Sequence, residues 1–151
     1  MAKDGKPILI NLLAIAKYDH MPEYPIQFMT TGHLDYKDHD DAVIRYTETQ
    51  QEENSDEVSI SDITLTISKN RVMMEKKGDF SNTMVFSRGQ RFEGTYKTPY
   101  GDMDMAVFSK GVQCKVGEKR GAVHLNYQLD IQGAYASTNE LHLEYTAEEQ
   151  E

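Results

Sequence analysis

Hydrophobic and polar residues alternate with a period of two along most of this chain. Ile63, Leu65 and Ile67 alternate with polar residues, and the same pattern returns over residues 123–131 and 141–145. Successive side chains of a β-strand point to opposite faces, so this pattern predicts strands with one buried and one wet face. No stretch of similar length spaces its apolar residues by three and four, so we expect no helix.

Short turn sequences separate these segments. Lys69-Asn70 lies between two of them, and Asn tolerates the left-handed backbone of a tight hairpin. Gly78-Asp79 fits a second tight turn, and Thr98-Pro99-Tyr100-Gly101 fits a type I turn. A charged loop is expected from Gly117 to Gly121. Eight to ten antiparallel strands without interposed helices predict an all-β fold, either a closed barrel or a sandwich.

The most apolar segment, from Ile8 to Ala16, has two interpretations. It follows Lys3 and Lys6 and ends in small residues, as a secretory signal peptide does. Asp4 and Asn11 interrupt that pattern, and the apolar run is short. We therefore expect a strand buried on both faces and a cytoplasmic protein. No other segment approaches the roughly 18 apolar residues that span a bilayer, so no membrane is expected as a partner.

Length and charge narrow the picture further. A chain of 151 residues is expected to form one domain, with a core over about residues 7–146 and an acidic tail over 147–151. Its single Cys excludes a disulfide framework and a Cys-based zinc site. The net charge of −9 argues against nucleic acid as a partner. That charge is uneven, since residues 35–62 are strongly acidic and residues 69–98 are basic.

Eight different short motifs of strand and turn residues are distributed along nearly the whole chain. They are Thr31-Gly32, Ile44 to Glu48, Met84-Val85-Phe86, Gly89, Tyr96 to Gly101, Met103-Asp104-Met105, Leu125-Asn126-Tyr127 and Leu143-Glu144-Tyr145. From Pro7 to Thr146 this series resembles the YwiB-like family of uncharacterised bacterial proteins. The resemblance implies a single lipocalin-like (calycin-type) β-barrel, closed or nearly closed. It assigns no role to any residue. The acidic region from Gln50 to Asp62 is longer than expected for that family. Its first part, from Gln50 to Asp56, is expected to be the least ordered internal loop of the chain.

The sequence contains no motif for catalysis. It lacks a phosphate-binding glycine loop, a nucleophile elbow and a zinc-protease helix. Asp38-His39-Asp40-Asp41 is its densest polar cluster, but the Gly of a calcium loop is missing, so we expect a solvated turn. Cys114 has no obvious partner and is expected to be a half-buried side chain near a strand end. No nucleophile, base and orienting group occur together, which disfavours an enzyme, and no cofactor is expected.

His124 and His142 lie on the polar faces of two segments that should be neighbouring strands. Pairing Leu125 with Leu143 would place the two imidazoles diagonally across the strands, within reach of one metal ion. Zinc sites use three or four protein ligands, however, so two histidines are only a weak candidate. We expect ordinary surface histidines and no metal.

Three residues with polar groups share their strand face with apolar residues. Tyr46 and Glu48 point the same way as Ile44, and Tyr96 lies on the apolar face of its own segment. The interior of a barrel of about eight strands is filled by side chains or holds one small ligand. Tyr46, Glu48 and Tyr96, with Arg91 as a partner for the carboxylate, are therefore candidates to bind the polar group of a ligand. Alternatively, Glu48 lies at the rim in water, and the tyrosines are core residues whose hydroxyls reach solvent.

The sequence leaves the function open between two hypotheses. The first is the binding of a small molecule inside the barrel, which predicts an internal cavity of a few hundred cubic ångströms. The second is a non-enzymatic interaction or structural module that acts through its charged surface. This second function predicts an exposed apolar patch. A homodimer is compatible with both.

Overall fold

The computed structural model describes residues 5–18, 21–38, 41–51, 58–78 and 81–148. These residues form ten β-strands and no helix, which confirms the predicted all-β class and strand number. The strands are β1 (Lys6–Lys17), β2 (Tyr24–Asp38), β3 (Asp41–Gln51), β4 (Val58–Ser68), β5 (Arg71–Gly78), β6 (Asn82–Ser87), β7 (Arg91–Thr98), β8 (Gly101–Lys115), β9 (Arg120–Ile131) and β10 (Ala134–Ala147). Nothing in the described part of the chain is a helix long and apolar enough to cross a membrane.

The strands form one antiparallel sheet that curls into a nearly closed barrel. Their order is β6-β5-β4-β3-β2-β1-β10-β9-β8-β7, so the first and last strands are neighbours. The two edge strands meet where Ser81 and Lys97 exchange backbone hydrogen bonds of 2.9 and 2.8 Å. Beyond β6, the N–H of Gly89 donates to the carbonyl of Ser109 at 2.8 Å. These few bonds join the edges of the sheet, as the predicted barrel requires.

The hydrophobic core fills one end of the barrel, which we call the closed end. β1 begins and β10 ends there, and on most strands the fully buried residues lie toward it. Its largest fully buried side chains include Ile8, Ile10, Leu34, Ile44, Leu65, Phe86, Leu125, Leu143 and Tyr145. The other end, which we call the open end, carries the loops that follow β1, β3, β5, β7 and β9. Inward side chains near the open end are mostly half-buried.

Strand β1 confirms the predicted strand but corrects its burial. Ile8 and Ile10 face the interior and are fully buried, as expected. Leu9 points outward and is 37% exposed, while Leu13 and Ile15 are only half-buried. The prediction that both faces are buried was therefore wrong. A barrel made of one sheet covers only the inner face of each strand, so the outer apolar residues meet solvent.

The turn predictions are confirmed where the structure describes them. Lys69 and Asn70 both have positive φ angles, 49° and 61°, as the tight hairpin between β4 and β5 requires. The Thr98 hydroxyl donates to the carbonyl of Gly101 at 2.8 Å within the turn between β7 and β8. Several predicted features lie outside the described residues. They are Asp79, the loop residues 52–56, His39 and Asp40 of the acidic cluster, and residues 149–151 of the tail.

The Tyr145 side chain fixes the loop that follows β8 at the closed end. Its hydroxyl donates to the carbonyl of Gly117 at 2.8 Å and accepts from the N–H of the same residue at 3.0 Å. Gly121 lies against the ring, and a Cβ at that position would collide with the hydroxyl. One buried hydroxyl thus satisfies both backbone groups of Gly117.

Cys114 lies on the inward side of β8 near the closed end. It is half-buried, as expected, and burial raises the pKa of its thiol from 9.0 to about 11. Its backbone N–H donates to the side-chain oxygen of Asn70 at 3.3 Å. The thiolate is the reactive form of cysteine, so this environment lowers the reactivity of the thiol at neutral pH.

Removal of the Tyr145 hydroxyl should destabilise the fold. Tyr145→Phe leaves the N–H and carbonyl of Gly117 without their partner, which typically costs about 1–3 kcal/mol. Urea denaturation followed by circular dichroism should show this loss in the free energy of unfolding. Tyr100→Phe is the matched control, because Tyr100 is 87% exposed and should change stability little. Equal midpoints for the two variants would contradict the role of the hydroxyl.

Alkylation of Cys114 should be slow in the folded protein. A pKa raised by about two units leaves about a hundredfold less thiolate at neutral pH than an ordinary thiol has. The rate of modification by iodoacetamide, followed by mass spectrometry, should keep rising with pH up to about 11. The same chain unfolded in urea is the control and should react faster. If the rate in the folded protein stops rising below pH 9.0, the ordinary pKa of a thiol, the pKa of Cys114 is not raised.

Candidate ligand-binding cavity

The interior of the barrel is hollow toward the open end. The cavity has a volume of about 280 Å³. Most of its wall is apolar, with contributions from residues such as Leu12, Phe28 and Met84. Polar side chains from five strands also face it, namely Tyr46, Glu48, Lys76, Asn82, Tyr96 and Tyr127. The predicted internal cavity is therefore present.

Three of the four residues predicted for a ligand site line this cavity. They are Tyr46, Glu48 and Tyr96. The fourth, Arg91, has the opposite parity to Tyr96 on β7 and points to the outer face. Its guanidinium contacts Glu93 at 3.2 Å and Asp130 at 3.3 Å. Arg91 is therefore not the partner of the Glu48 carboxylate.

The partner of Glu48 is Lys76 on β5. The Lys76 ammonium lies 3.0 Å from the Glu48 carboxylate, and the two side chains are 18% and 32% exposed. The pair is thus neither fully buried nor at a rim in open water. Because the two charges oppose each other at contact distance, the cavity carries no net charge from them. Strand parity gave the inward position of Glu48 as one of two alternatives, and Lys76 was not among its predicted partners.

Two tyrosine hydroxyls face the cavity as hydrogen-bond donors. Tyr46 is 8% exposed, and its hydroxyl has no hydrogen bond to another described residue. Burial raises the pKa of Tyr46, and the nearby Glu48 carboxylate raises it further. Tyr127 packs edge-on against Phe86 with ring centroids 4.8 Å apart, and burial raises its pKa to about 12. Both hydroxyls therefore keep their protons at neutral pH.

Asn82 brings an unsatisfied acceptor to the cavity wall. Its side-chain oxygen is buried and accepts no hydrogen bond. Its amide nitrogen is 3.9 Å from the sulfur of Met105, which is a weak acceptor. Buried polar atoms without a partner are rare in native proteins, and each one calls for an explanation. Asn82 itself lines the cavity, so a turn of its amide would bring this oxygen to a donor held there.

The barrel wall opens beside this cavity. The pairing between β2 and β3 begins at Gly32 and Tyr46 and continues to the closed end. Along Tyr24–Thr31, the edge of β2 that faces β3 has no strand partner among the described residues. A recess of about 670 Å³ occupies this gap. Tyr46 and Ile63 line both the recess and the cavity. These two side chains therefore separate the recess from the interior cavity.

The two histidines are neighbours, but in a different register from the one expected. His124 lies directly opposite His142, with ring centroids 4.7 Å apart, and Leu125 pairs with Leu141. The predicted diagonal arrangement, with Leu125 opposite Leu143, was wrong. The turn between β9 and β10 and a bulge before Ser137 set the register instead. Within the described ranges, no three His, Cys, Asp or Glu side chains come close enough together to hold a metal ion.

A second, larger concavity lies on the outside of the closed end. It has a volume of about 690 Å³ and is bordered by Leu9, Arg120 and Glu144. The Tyr145 hydroxyl reaches this region, but Gly117 already satisfies it. The groove contains no buried polar atom without a partner among the described residues. The interior cavity is therefore the better candidate site.

Comparison with known proteins supports this fold. Residues 12–143 match the family model described as "Domain of unknown function (DUF1934)". No curated protein matches the chain. The crystal structure of the ywiB protein from Bacillus subtilis is similar, with a TM-score of 0.79 and 18% sequence identity over 97% of this chain and 95% of that one. The resemblance to the YwiB-like family is thus confirmed. Because the family model covers most of the chain, the protein belongs to the DUF1934 family, whose function is unknown.

Proposed function

We propose that this protein binds a small molecule in the cavity at the open end of its barrel. The observation that carries the proposal is an apolar cavity that holds polar atoms without partners. The oxygen of Asn82 is buried and unsatisfied, and the Tyr46 hydroxyl has no described partner. Ligand sites combine a mostly apolar wall with a few polar groups that orient the ligand, and this cavity has that composition.

The volume of the cavity limits the size of the ligand. A dry engineered cavity of about 150 Å³ takes up benzene, and pockets for drug-sized ligands measure about 300–1,000 Å³. A cavity of about 280 Å³ therefore suits a molecule larger than benzene and smaller than a typical drug. The gap between β2 and β3 supplies an entrance for such a molecule.

The electrostatics of the cavity favour binding over catalysis. Glu48 and Lys76 neutralise each other at 3.0 Å. A lysine nucleophile needs a free neutral amine, and the Lys76 side chain instead forms an ion pair with the Glu48 carboxylate. The Tyr46 and Tyr127 hydroxyls keep their protons at neutral pH, so they serve as donors. These groups can orient a ligand, and none of them is activated for attack on it.

We also propose a cytoplasmic location. The chain has a single cysteine, and that thiol is free and half-buried. A protein without disulfides fits a reducing compartment. Cell fractionation followed by immunoblotting tests this location, and recovery of the protein outside the cytoplasm would refute it.

A side chain that fills the cavity should prevent ligand binding. Ala14 lines the cavity on β1, so Ala14→Phe places a ring inside it. Native mass spectrometry of protein purified gently from its own cells should show a retained small molecule on the wild type. The variant should show the mass of the chain alone. The strained packing should cost about 1–3 kcal/mol of stability, which thermal melting measures.

Leu13→Phe is the matched control for this experiment. Leu13 precedes Ala14 on β1 but points to the outer face, so the same ring is added outside the cavity. This variant should retain the small molecule as the wild type does. A wild-type spectrum with only the mass of the chain would count against the proposed function, as would equal retention by the Ala14 variant.

A second candidate function is self-association through the open edge of β2. Met29 on β2 is 59% exposed beside the gap, and Val58 and Ile60 on β4, on the far side of β3, are 48% and 57% exposed. No residue from 24 to 32 is charged, so two copies of this acidic chain could approach there without charge repulsion. An unpaired strand edge of this kind can pair with the same edge of a second copy.

Sedimentation velocity tests this second function. The wild type should sediment as a dimer at micromolar concentration, and Met29→Lys combined with Ile60→Lys should sediment as a monomer. Charged residues on an exposed strand edge oppose pairing between edges. A monomeric wild type would exclude the edge as a homodimer interface without affecting the proposal for the cavity.

A further inference from the structure

We infer that the cavity selects an uncharged molecule with an apolar body and one polar end that both donates and accepts hydrogen bonds, as a primary amide does. This inference rests on the proposed function and specifies the chemical class of the ligand. It follows from the unpaired polar atoms of the cavity wall, from the balance of the two charges there and from the apolar character of the rest of the wall.

The ligand must donate a hydrogen bond to Asn82. The side-chain oxygen of Asn82 is buried and has no donor, while the amide nitrogen faces the Met105 sulfur at 3.9 Å. Rotation of the amide would only exchange the two atoms and leave the nitrogen unpaired instead. A buried acceptor without a partner typically costs about 1–3 kcal/mol. A ligand with an N–H or O–H group near Asn82 would recover that loss.

The ligand must also accept hydrogen bonds from tyrosine. Tyr46 and Tyr127 both line the cavity, and neither hydroxyl has a hydrogen bond to another described residue. Burial keeps both of them protonated at neutral pH. A carbonyl oxygen has two lone pairs and can accept from one or both hydroxyls. An amide therefore meets the needs of Asn82 and of the tyrosines with a single group.

The ligand should carry no net charge. Glu48 and Lys76 already balance each other at 3.0 Å inside the cavity. Because the two charges are in contact, a ligand carboxylate beside Lys76 also lies close to Glu48, and a ligand ammonium beside Glu48 also lies close to Lys76, so most of the attraction is cancelled. An ion would also lose its hydration on entering an apolar cavity, which is costly unless a new partner compensates. An uncharged polar group avoids that cost.

The rest of the ligand should be apolar. Most of the wall consists of aliphatic, aromatic and thioether side chains, among them Leu12, Phe28, Met74 and Met84. Methionine side chains are flexible and adapt to irregular shapes. The wall is therefore suited to an apolar body of moderate size rather than to a sugar or another molecule that is polar all round.

Three probes of similar shape test this inference. Phenylacetamide, phenylacetate and propylbenzene share a phenyl ring and differ in an uncharged polar end, an anionic end and an apolar end. Isothermal titration into the wild-type protein should give the tightest binding for phenylacetamide, by about tenfold over each of the others. Asn82→Leu should remove that preference, because it replaces the acceptor with an apolar group of similar size.

Asn126→Leu is the matched control for the Asn82 variant. Asn126 is exposed on β9, outside the cavity, so the same substitution there should leave the preference for phenylacetamide unchanged. Thermal melting of both variants checks that they fold.

Glu48→Gln gives a second test that does not depend on Asn82. It leaves the Lys76 ammonium without its carboxylate and gives the cavity a positive charge. The affinity for phenylacetate should then rise by about tenfold, while the affinity for propylbenzene should stay the same. No gain for phenylacetate would show that the ion pair does not set the charge preference.

The outcomes separate this inference from the proposed function. If phenylacetate or propylbenzene binds the wild type as tightly as phenylacetamide, the ligand class is wrong, while ligand binding in the cavity stands. If none of the three binds and the gently purified protein retains no small molecule, the proposed function falls and the ligand class falls with it. Preference for phenylacetamide that persists in Asn82→Leu would overturn the assigned role of Asn82.

Discussion

The number of strands determines what the inside of this barrel can be. Side chains can just fill the interior of a barrel of about eight strands, and a wider barrel leaves room that they do not fill. Ten strands surround this interior, and large residues such as Phe86 and Tyr145 fill the closed end. Toward the open end the inward residues include Ala14 and Glu48, and a cavity of about 280 Å³ remains. The cavity is thus a consequence of strand number and of where the bulky side chains lie.

Strand parity indicates which side chains of one strand point inward, but it does not tell which of them meet across the barrel. Tyr46 and Glu48 follow the buried Ile44 at intervals of two, so their inward position could be predicted. β5 contains Met73-Met74 followed by Lys76-Lys77, so both of its faces carry a methionine and a lysine. Val72 shares its face with Lys76, whereas Arg71 and Glu75 share theirs with Lys77, so parity favours Lys76 as the inward lysine but does not tell that it meets Glu48 of β3. Arg91 is different, because its parity relative to Tyr96 already placed it outside.

Pairing between strands was harder to predict than the strands themselves. The turn at Gln132 and Gly133 fixes Ile131 opposite Ala134, and a bulge before Ser137 then shifts the register by one residue. Hydrophobic alternation cannot detect a shift of two residues, because the same face stays buried. The diagonal placement of His124 and His142 failed for this reason. Unpaired positions such as the Asn82 oxygen depend on the same details of register and rotamer, so the sequence could not reveal them.

The polar groups of the cavity do not serve the stability of the barrel. Replacement of a buried ion pair by well-packed apolar residues is often neutral or stabilising. Leucine or phenylalanine could therefore supply most of the folding free energy that comes from the Glu48–Lys76 pair, the Asn82 amide and the Tyr46 hydroxyl. The unsatisfied oxygen of Asn82 is a net cost to the empty protein. Under the proposed function, a ligand with a matching donor would remove that cost on binding, so the groups that weaken the empty barrel would also give the occupied barrel its specificity.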